Sequence, residues 1–209
     1  MRGTSEIITE MQYLPPVSRV ALLQCYSKII IDTQEPFRKS TWRNRCMIIG
    51  VNGPILLTVP VDGGRSVKKL SKDVRITYRE KWQRNHWRSI SSAYRGSSYF
   101  AFYEDKFCPF YEKKFEFLLD LNFELMELCI DLLHLDSIFS IDNNSETVEG
   151  HIDHINDVEK RNSNYQYQQV FEDRHGFIAG ASVIDLLFNL GPEAKNHLIR
   201  LSLSHKNPP

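Results

Sequence analysis

The hydrophobic pattern at the start of the chain predicts a strand, a helix and a second strand. Ile7-Ile8 is short and β-branched. Pro15-Pro16 then favours a helix start, because proline has a preset φ and lacks only an N–H that the first helical turn leaves unused. Apolar residues recur at helical spacing over residues 17–26, and residues 28–32 form a β-branched run typical of a buried strand. This order predicts one parallel strand–helix–strand unit.

Turn-forming and alternating residues predict a hairpin after this unit. Two apolar runs, 46–50 and 55–61, are joined through Asn52-Gly53, a pair that adopts positive φ at low cost. Residues 74–78 alternate between apolar and polar, which is typical of a half-exposed strand. The middle of the first half of the chain is therefore expected to be β-structure.

Helical periodicity dominates the rest of the chain. A helix is predicted from Lys81, and a second over 104–114 that Pro109 is expected to break. The longest helical pattern covers 115–135, and a last helix over 182–192 has a Gly-Pro stop. These helices predict a C-terminal helical layer.

The combined pattern predicts an α/β fold, with α+β as the alternative. It comprises a small mixed β-sheet, the N-terminal strand–helix–strand unit, the hairpin and the helical layer. A chain of 209 residues fits a single domain, with its core at about residues 12–192. The polar, Asn-rich segment 142–164 is predicted to be a long loop, and residues 202–209 a frayed tail.

Composition excludes some classes of protein. A hydrophobic content of 42% excludes a wholly disordered chain. The apolar runs are shorter than the roughly 18 residues of a membrane span, and the first residues lack the apolar core of a signal peptide, so a cytoplasmic protein without a membrane span is expected. No two cysteines are close in sequence; all four are expected to be buried thiols rather than disulfides or ligands.

Charge is divided unevenly along a chain whose formal net charge is zero. Residues up to Arg95 include 17 basic and 7 acidic side chains, whereas the remainder has 9 basic and 19 acidic. The basic half is expected to meet an anionic ligand or partner. The alternative is that the two halves fold together and neutralise each other.

A cluster of cations around Trp42 is the first candidate binding site. If the chain is extended here, Arg43 and Arg45 project to the same face and form a fork suited to phosphate or carboxylate, with Lys39 nearby and Asn44 adding a hydrogen bond. Cations this close repel each other unless they share an anion. The alternative is a basic edge strand that discourages aggregation.

The predicted helix after Lys81 contains the candidate catalytic residue. His86 is the candidate general acid or base, since histidine titrates near neutrality. Arg88 could hold a second anion, and Trp87 or Tyr94 could stack on a base or sugar ring. The alternative is a helix anchored by its tryptophans, with a histidine whose hydrogen bonds are satisfied inside the core.

Gln12 and Tyr13 form a third candidate site, because they follow the first strand. In open α/β sheets, ligands bind beyond the carboxyl ends of the strands, where helices begin. The alternative is that this turn is only a rigid connector.

Neither a metal nor a cofactor is expected. The chain has no dinucleotide, phosphate-loop, nucleophile-elbow or zinc motif. His151 and His154 have a spacing that suits a metal superficially, but they lie in the predicted loop without a fixed scaffold. Asp185 lies within an apolar helical pattern, so it must be paired or exposed.

The order of several short stretches resembles the WbqC-like family of bacterial proteins. They are Tyr13-Leu14-Pro15-Pro16, Tyr26-Ser27-Lys28, Trp42-Arg43-Asn44-Arg45, Asn52-Gly53 to Val59-Pro60-Val61, Trp82-Gln83-Arg84-Asn85-His86-Trp87-Arg88, Ser92-Ala93-Tyr94-Arg95, Tyr99-Phe100, Phe110-Tyr111-Glu112-Lys113-Lys114, Gln169-Val170-Phe171, Gly176-Phe177 and Asp185-Leu186-Leu187-Phe188-Asn189. The resemblance spans roughly residues 12–192. It departs from the family pattern at 178–182, where members usually have a Pro-Asn-Leu-Ser run.

The resemblance implies a role in the biosynthesis of O-antigen or another surface polysaccharide. It suggests a nucleotide sugar or sugar phosphate whose phosphates meet Arg43 and Arg45, and group transfer to an amino sugar as the reaction. One alternative is a non-catalytic assembly protein that uses its basic half, including in a homodimer. Another alternative is a nucleic-acid-binding protein. The acidic half of the chain and its neutral total charge argue against that alternative.

Overall fold

The N-terminal strands form a parallel sheet in the computed structural model, which describes residues 6–63, 69–136, 138–142 and 166–206. Strand β1 (Glu6–Thr9), helix α1 (Val17–Leu23) and strand β2 (Lys28–Asp32) confirm the predicted unit. β1 pairs in parallel with β2, with Ile7 opposite Ile29. A further strand, β5 (Ile138–Asp142), pairs in parallel with the other edge of β2 and was not predicted.

The predicted hairpin forms a separate two-stranded sheet. Strands β3 (Arg45–Gly50) and β4 (Gly53–Thr58) are antiparallel, with Gly50 opposite Gly53. Gly53 has the positive φ that the turn requires, at 104°. The described strands thus lie in two sheets rather than in one mixed sheet. The predicted strand at 74–78 contributes only single bridges, from Ile76 to Val61 and from Arg75 to Phe117.

Helices make up most of the remaining described structure. They are α2 (Trp82–Tyr94), α3 (Phe100–Phe107), α4 (Leu118–Leu132), α5 (Glu172–His175), α6 (Val183–Leu190) and α7 (Ala194–Lys206), with short 3₁₀ turns at Ser71–Asp73, Cys108–Tyr111 and Gly191–Glu193. The helix break at Pro109 is confirmed, because α3 ends at Phe107 and a 3₁₀ turn follows.

The C-terminal helix α7 was not predicted. Its backbone is helical to Lys206, beyond the start of the tail that was expected to fray. The last three residues, and all of the predicted polar loop except Asp142, lie outside the described residues. In the part of the chain that is described, no helix is both long and apolar enough to cross a bilayer.

An aromatic cluster joins the helices in the core. The ring of Phe188 on α6 lies 5.2 to 5.4 Å, centroid to centroid, from Tyr94, Phe100 and Phe107 on α2 and α3. Helix α1 packs on α6 and α7, and α2 packs on β3. Strands and helices therefore share one apolar interior, which confirms the α/β fold class.

Candidate functional site

The carboxyl ends of β1 and β2 meet at a narrow cleft. Its enclosed space is only about 10 Å³, room for about one water molecule, and it is lined by Thr9, Glu10, Met11, Gln12, Pro15, Arg19, Leu23, Ile31 and Met126. The chain leaves β1 at Thr9, crosses the cleft wall and enters α1 through two buried prolines. Since ligands of open α/β folds bind at this end of parallel strands, the cleft is the leading candidate site.

Two guanidinium groups alternate with two carboxylates beside this cleft. Arg43 donates from Nε and Nη2 to the two oxygens of Glu35, over 2.8 and 2.5 Å. Glu10 Oε2 lies 3.9 Å from Arg43 Nη2 and 4.0 Å from Arg19 Nη2. Arg19 also donates to the hydroxyl of Thr9. These groups form a chain of opposite charges that runs from Glu35 to Arg19.

The charge of Glu10 is set by its environment. Burial alone would raise the pKa of its carboxyl, but the neighbouring Arg19 and Arg43 bring that pKa below its ordinary value. Glu10 is therefore ionised at neutral pH. Two cations and two anions leave the group with no formal net charge, so an added anion must compete with a carboxylate for a guanidinium.

Two buried amide side chains have oxygens without a hydrogen-bond donor among the described residues. Gln12 donates through Nε2 to Glu10 over 2.7 Å, and Asn122 donates through Nδ2 to the backbone oxygen of Arg43 over 2.7 Å. Each donation fixes which way the amide points. It leaves Gln12 Oε1 and Asn122 Oδ1 unpartnered, although these residues are only 8% and 2% exposed.

The oxygen of Asn122 belongs to a neighbouring cleft. That cleft also encloses about 10 Å³ and is lined by Met11, Phe37, Arg43, Ser71, Leu118, Leu119 and Asn122. It shares Met11 with the first cleft, and its Arg43 forms the 3.9 Å ion pair with Glu10, which lines the first cleft. An unpaired buried acceptor costs roughly 1–3 kcal/mol, so both oxygens favour a donor such as a hydroxyl.

The cationic cluster around Trp42 differs from the expected open fork. Strand β3 begins only at Arg45, so Arg43 lies in the preceding turn and the two arginines do not share a strand face. Arg43 is neutralised by Glu35 instead of remaining available beside Arg45. Arg45 donates to the backbone oxygen of Ser40, and Lys39 is exposed.

The side chain of Asn44 is buried and holds two backbone segments together. It is 0% exposed, accepts the backbone N–H of Ser40 and donates to the backbone oxygen of Val59 over 3.0 Å. Its amide thus joins the turn before β3 to the segment after β4. Both of its side-chain hydrogen bonds are internal.

His86 lies in the core, at the centre of a chain of hydrogen bonds. Its Nε2 is 3.2 Å from the backbone oxygen of Thr58, which can only accept, so Nε2 donates and Nδ1 accepts. The hydroxyl of Tyr13, 3.0 Å from Nδ1, donates to it and accepts from the hydroxyl of Tyr111, which is also 3.0 Å away. This arrangement fits the alternative of a satisfied core histidine.

Burial holds this histidine in its neutral form. Burial lowers the pKa of His86 to about 4, although the bond to Thr58 opposes the change. The side chain is 5% exposed and both ring nitrogens are engaged. An acid or base role for His86 stays a prediction, and the geometry around it favours a structural role.

The remaining predicted site residues are dispersed. Trp87 stacks against Phe100 and Tyr111, with centroids 6.1 and 5.5 Å away, so its ring packs among other aromatic rings. Tyr94 is buried, and its hydroxyl accepts the backbone N–H of Ile49. Arg88 is exposed on α2. The structure thus brings Gln12 and Arg43 to the cleft and places Tyr13 with His86 in the core.

Asp185 is paired, as its apolar surroundings required. It is 0% exposed in the first turn of α6 and accepts from Tyr167 over 2.6 Å and from Gln169 over 3.0 Å. Burial raises the pKa of its carboxyl, and hydrogen bonds from Tyr167, Tyr94 and Gln169 oppose that rise. These contacts tie α2 and the segment before α5 to α6.

Sequence reasoning missed four charged or polar residues of the cleft region. Glu10 follows β1 directly, so its position at a strand end was a usable signal. Arg19, Glu35 and Asn122 had no comparable local signal, because they reach the region from a helix, a loop and a distant helix. In the described residues no group of three potential ligands could hold a metal ion, and His151 and His154 lie outside that part.

Comparisons with known proteins place the chain in a family. The model of the WbqC-like protein family matches residues 11–165, which include Gln12, Arg43 and Asn122. A protein of Mycobacterium tuberculosis (strain ATCC 25618 / H37Rv), described as uncharacterized protein Rv1507c, is 24% identical over 223 residues, which cover 91% of this chain and 96% of that protein. No solved structure shows significant similarity to the chain. The chain therefore belongs to the WbqC-like protein family.

Proposed function

We propose that this protein is an enzyme of surface-polysaccharide biosynthesis whose narrow cleft at the carboxyl ends of β1 and β2 widens to bind a phosphate-linked sugar. Group transfer to an amino sugar is the proposed class of reaction. The polysaccharide part of the proposal is supported by the association of WbqC-like proteins with surface polysaccharides. The ligand part rests on the chemistry of the cleft.

One observation carries the ligand assignment: two buried amide oxygens without donors lie beside two guanidinium groups. Gln12 Oε1 and Asn122 Oδ1 can accept hydrogen bonds from sugar hydroxyls. Arg19 and Arg43 can donate to phosphate oxygens. A hydroxylated anion offers both kinds of partner, whereas an apolar ligand offers neither.

Glu35 is expected to control the affinity for the anionic part of the ligand. It holds Arg43 through two hydrogen bonds and also accepts from the hydroxyl of Ser71. A phosphate can use Arg43 fully only by displacing this carboxylate. Glu35→Gln removes the competing charge while keeping a side chain of the same size, so we expect it to bind phosphate-containing ligands more tightly.

A thermal-shift screen against nucleotide sugars, sugar phosphates and pyrophosphate tests the proposal. A ligand at about 100 times its Kd contributes about 2.7 kcal/mol, which raises the Tm of a chain this size by about 5–11 °C. Gln12→Leu and Arg43→Gln are expected to reduce the shift, and Glu35→Gln to increase it. Arg88→Gln is the matched control, because Arg88 is exposed on α2 and no cleft contact involves it.

The proposal fails if no member of the panel stabilises the protein, or if the cleft variants respond as the wild type does. Loss of the shift in Arg88→Gln alone would move the binding site to α2. His86 is not part of the proposed binding chemistry, because its ring nitrogens are engaged within the core.

A further inference from the structure

The charged side chains on the exposed face of helix α2 are all positive. Arg84, Arg88 and Arg95 are all exposed, and at 3.6 residues per turn they fall within an arc of about 40°, opposite the buried face of the helix. We call these three residues the basic stripe. There is no acidic residue between Lys81 and Arg95. None of the three guanidinium groups forms an ion pair with a described residue.

The outer face of helix α4 has the opposite charge. Asp120, Glu124, Glu127 and Asp131 fall within an arc of about 60° on the side away from the buried residues of the helix. We call these four residues the acidic stripe. Within the described structure, its one ion pair joins Glu124 to Lys113 over 3.0 Å.

Both stripes place like charges close together. Arg84 and Arg88 are four residues apart on one helix, and members of the acidic stripe are three or four apart, spacings at which like charges repel. Partial burial raises the pKa of Asp120, and repulsion from Glu124 and Glu116 raises it further. A surface of opposite charge would relieve the repulsion in either helix.

The two stripes match each other. Arg84 to Arg95 and Asp120 to Asp131 each extend about 16 Å along their helix axes. No ion pair links the two stripes within one copy, as far as the chain is described. We propose that the basic stripe on α2 binds the acidic stripe on α4 of a second copy of this chain.

A second copy fits this charge pattern better than another polyanion. Each copy supplies both stripes, and its formal net charge of zero adds no overall repulsion between copies. A nucleic acid or an anionic membrane would match the basic stripe but would be repelled by the acidic stripe and by the acidic C-terminal half. Since exposed ion pairs are individually weak, the assembly is expected to depend strongly on salt.

Analytical ultracentrifugation of the full chain tests the proposal. At about 0.01 M salt the Debye length is about 30 Å, and a concentration-dependent assembly is expected. At about 1 M salt the Debye length is about 3 Å, and the chain is expected to be monomeric. Arg84→Glu/Arg88→Glu and Glu127→Lys/Asp131→Lys should each sediment at low salt as the monomer of 24.4 kDa. An equimolar mixture of the two variants should assemble again, because each then meets its opposite charge.

The control is Arg174→Glu/Arg200→Glu. It lowers the net charge as much as Arg84→Glu/Arg88→Glu does, but at exposed arginines outside both stripes. It should assemble as the wild type does. Circular dichroism identifies any variant that fails to fold. The neutral Arg88→Gln then replaces the charge reversal in the basic stripe, and the neutral Glu127→Gln replaces the charge reversal in the acidic stripe. The proposal is overturned by a wild type that stays monomeric at low salt, by a mixture that does not reassemble, or by a control that also dissociates. Binding of the monomer to duplex DNA or anionic vesicles through Arg84 and Arg88 would overturn it in favour of that polyanion.

Discussion

Acidification is expected to destabilise this protein through the buried imidazole of His86. Its folded pKa is lowered by burial to about 4 from an ordinary value of 6.5. Between these two values the unfolded chain binds a proton that the folded chain does not, so the free energy of unfolding decreases as the pH falls. The contribution of His86 is fully present above pH 6.5 and is lost as the pH approaches 4.

The size of the effect follows from the two pKa values. The interval from 6.5 to about 4 corresponds to about 3 kcal/mol when it is titrated completely, and to about 2 kcal/mol by pH 5. Carboxyl groups also titrate in this range, so the contribution of His86 must be isolated by difference.

Urea unfolding of the wild type and of His86→Phe at pH 7, 6 and 5 provides that difference. The variant loses the bonds to Thr58 and Tyr13, and we expect it to be less stable at pH 7 by about 1–3 kcal/mol. This gap should narrow by about 2 kcal/mol at pH 5, because only the wild type has the titrating group. Ser92→Ala, which changes an exposed side chain of the same helix that does not titrate in this range, should give a curve parallel to that of the wild type.

A gap that stays constant from pH 7 to pH 5 would refute the reasoning. It would mean that His86 is not held neutral by burial, and its role in proton transfer would regain support. If His86→Phe does not fold, an NMR titration of the wild type replaces the comparison. The resonances of the His86 ring should then show that about nine-tenths of the molecules still have a neutral imidazole at pH 5.

Two further predictions concern local strain and burial. Gly53→Ala should cost about 1 kcal/mol in urea unfolding, since φ is 104° with open space around the new methyl group. Gly191→Ala should lower the free energy of unfolding by about 3 kcal/mol, since its methyl would lie 2.4 Å from the Tyr99 ring and φ is 52°. Equal losses of stability in the two variants would contradict this reasoning. Burial raises the pKa of Cys46, and raises that of Cys129 to about 12, so these two thiols should resist a disulfide reagent until urea is added. Fast native reaction of all four cysteines would contradict the packing around Cys46 and Cys129.

Elements with a strong local pattern could be predicted from the sequence. The run at 28–32 is β-branched and short, and it forms β2 with the expected bounds. Pro109 removes a helical N–H donor, so the break after α3 could be predicted as well. By contrast, β5 has no distinctive alternation, and its pairing with β2 provides the hydrogen bonds that make it a strand. Helix α7 likewise depends on its packing against α1.

The candidate cleft shows the same division. Gln12 could be identified because polar residues after a parallel strand lie where ligands bind. Arg43 was identified as an anion-binding residue, but its pairing with Glu35 was not, because a loop brings that carboxylate back to it. Nothing near Asn122 in the sequence indicates that its amide reaches the backbone of Arg43.

Local sequence patterns were enough to predict the parallel unit, the hairpin, most of the helices and the separation of positive from negative charge along the chain. These features depend on neighbouring residues, whose φ preferences and spacing act locally. The packing of the folded chain establishes which charges are neutralised, which histidine nitrogens are engaged and which amide oxygens lack a donor. Those outcomes depend on contacts between residues far apart in the chain, and no local pattern contains that information.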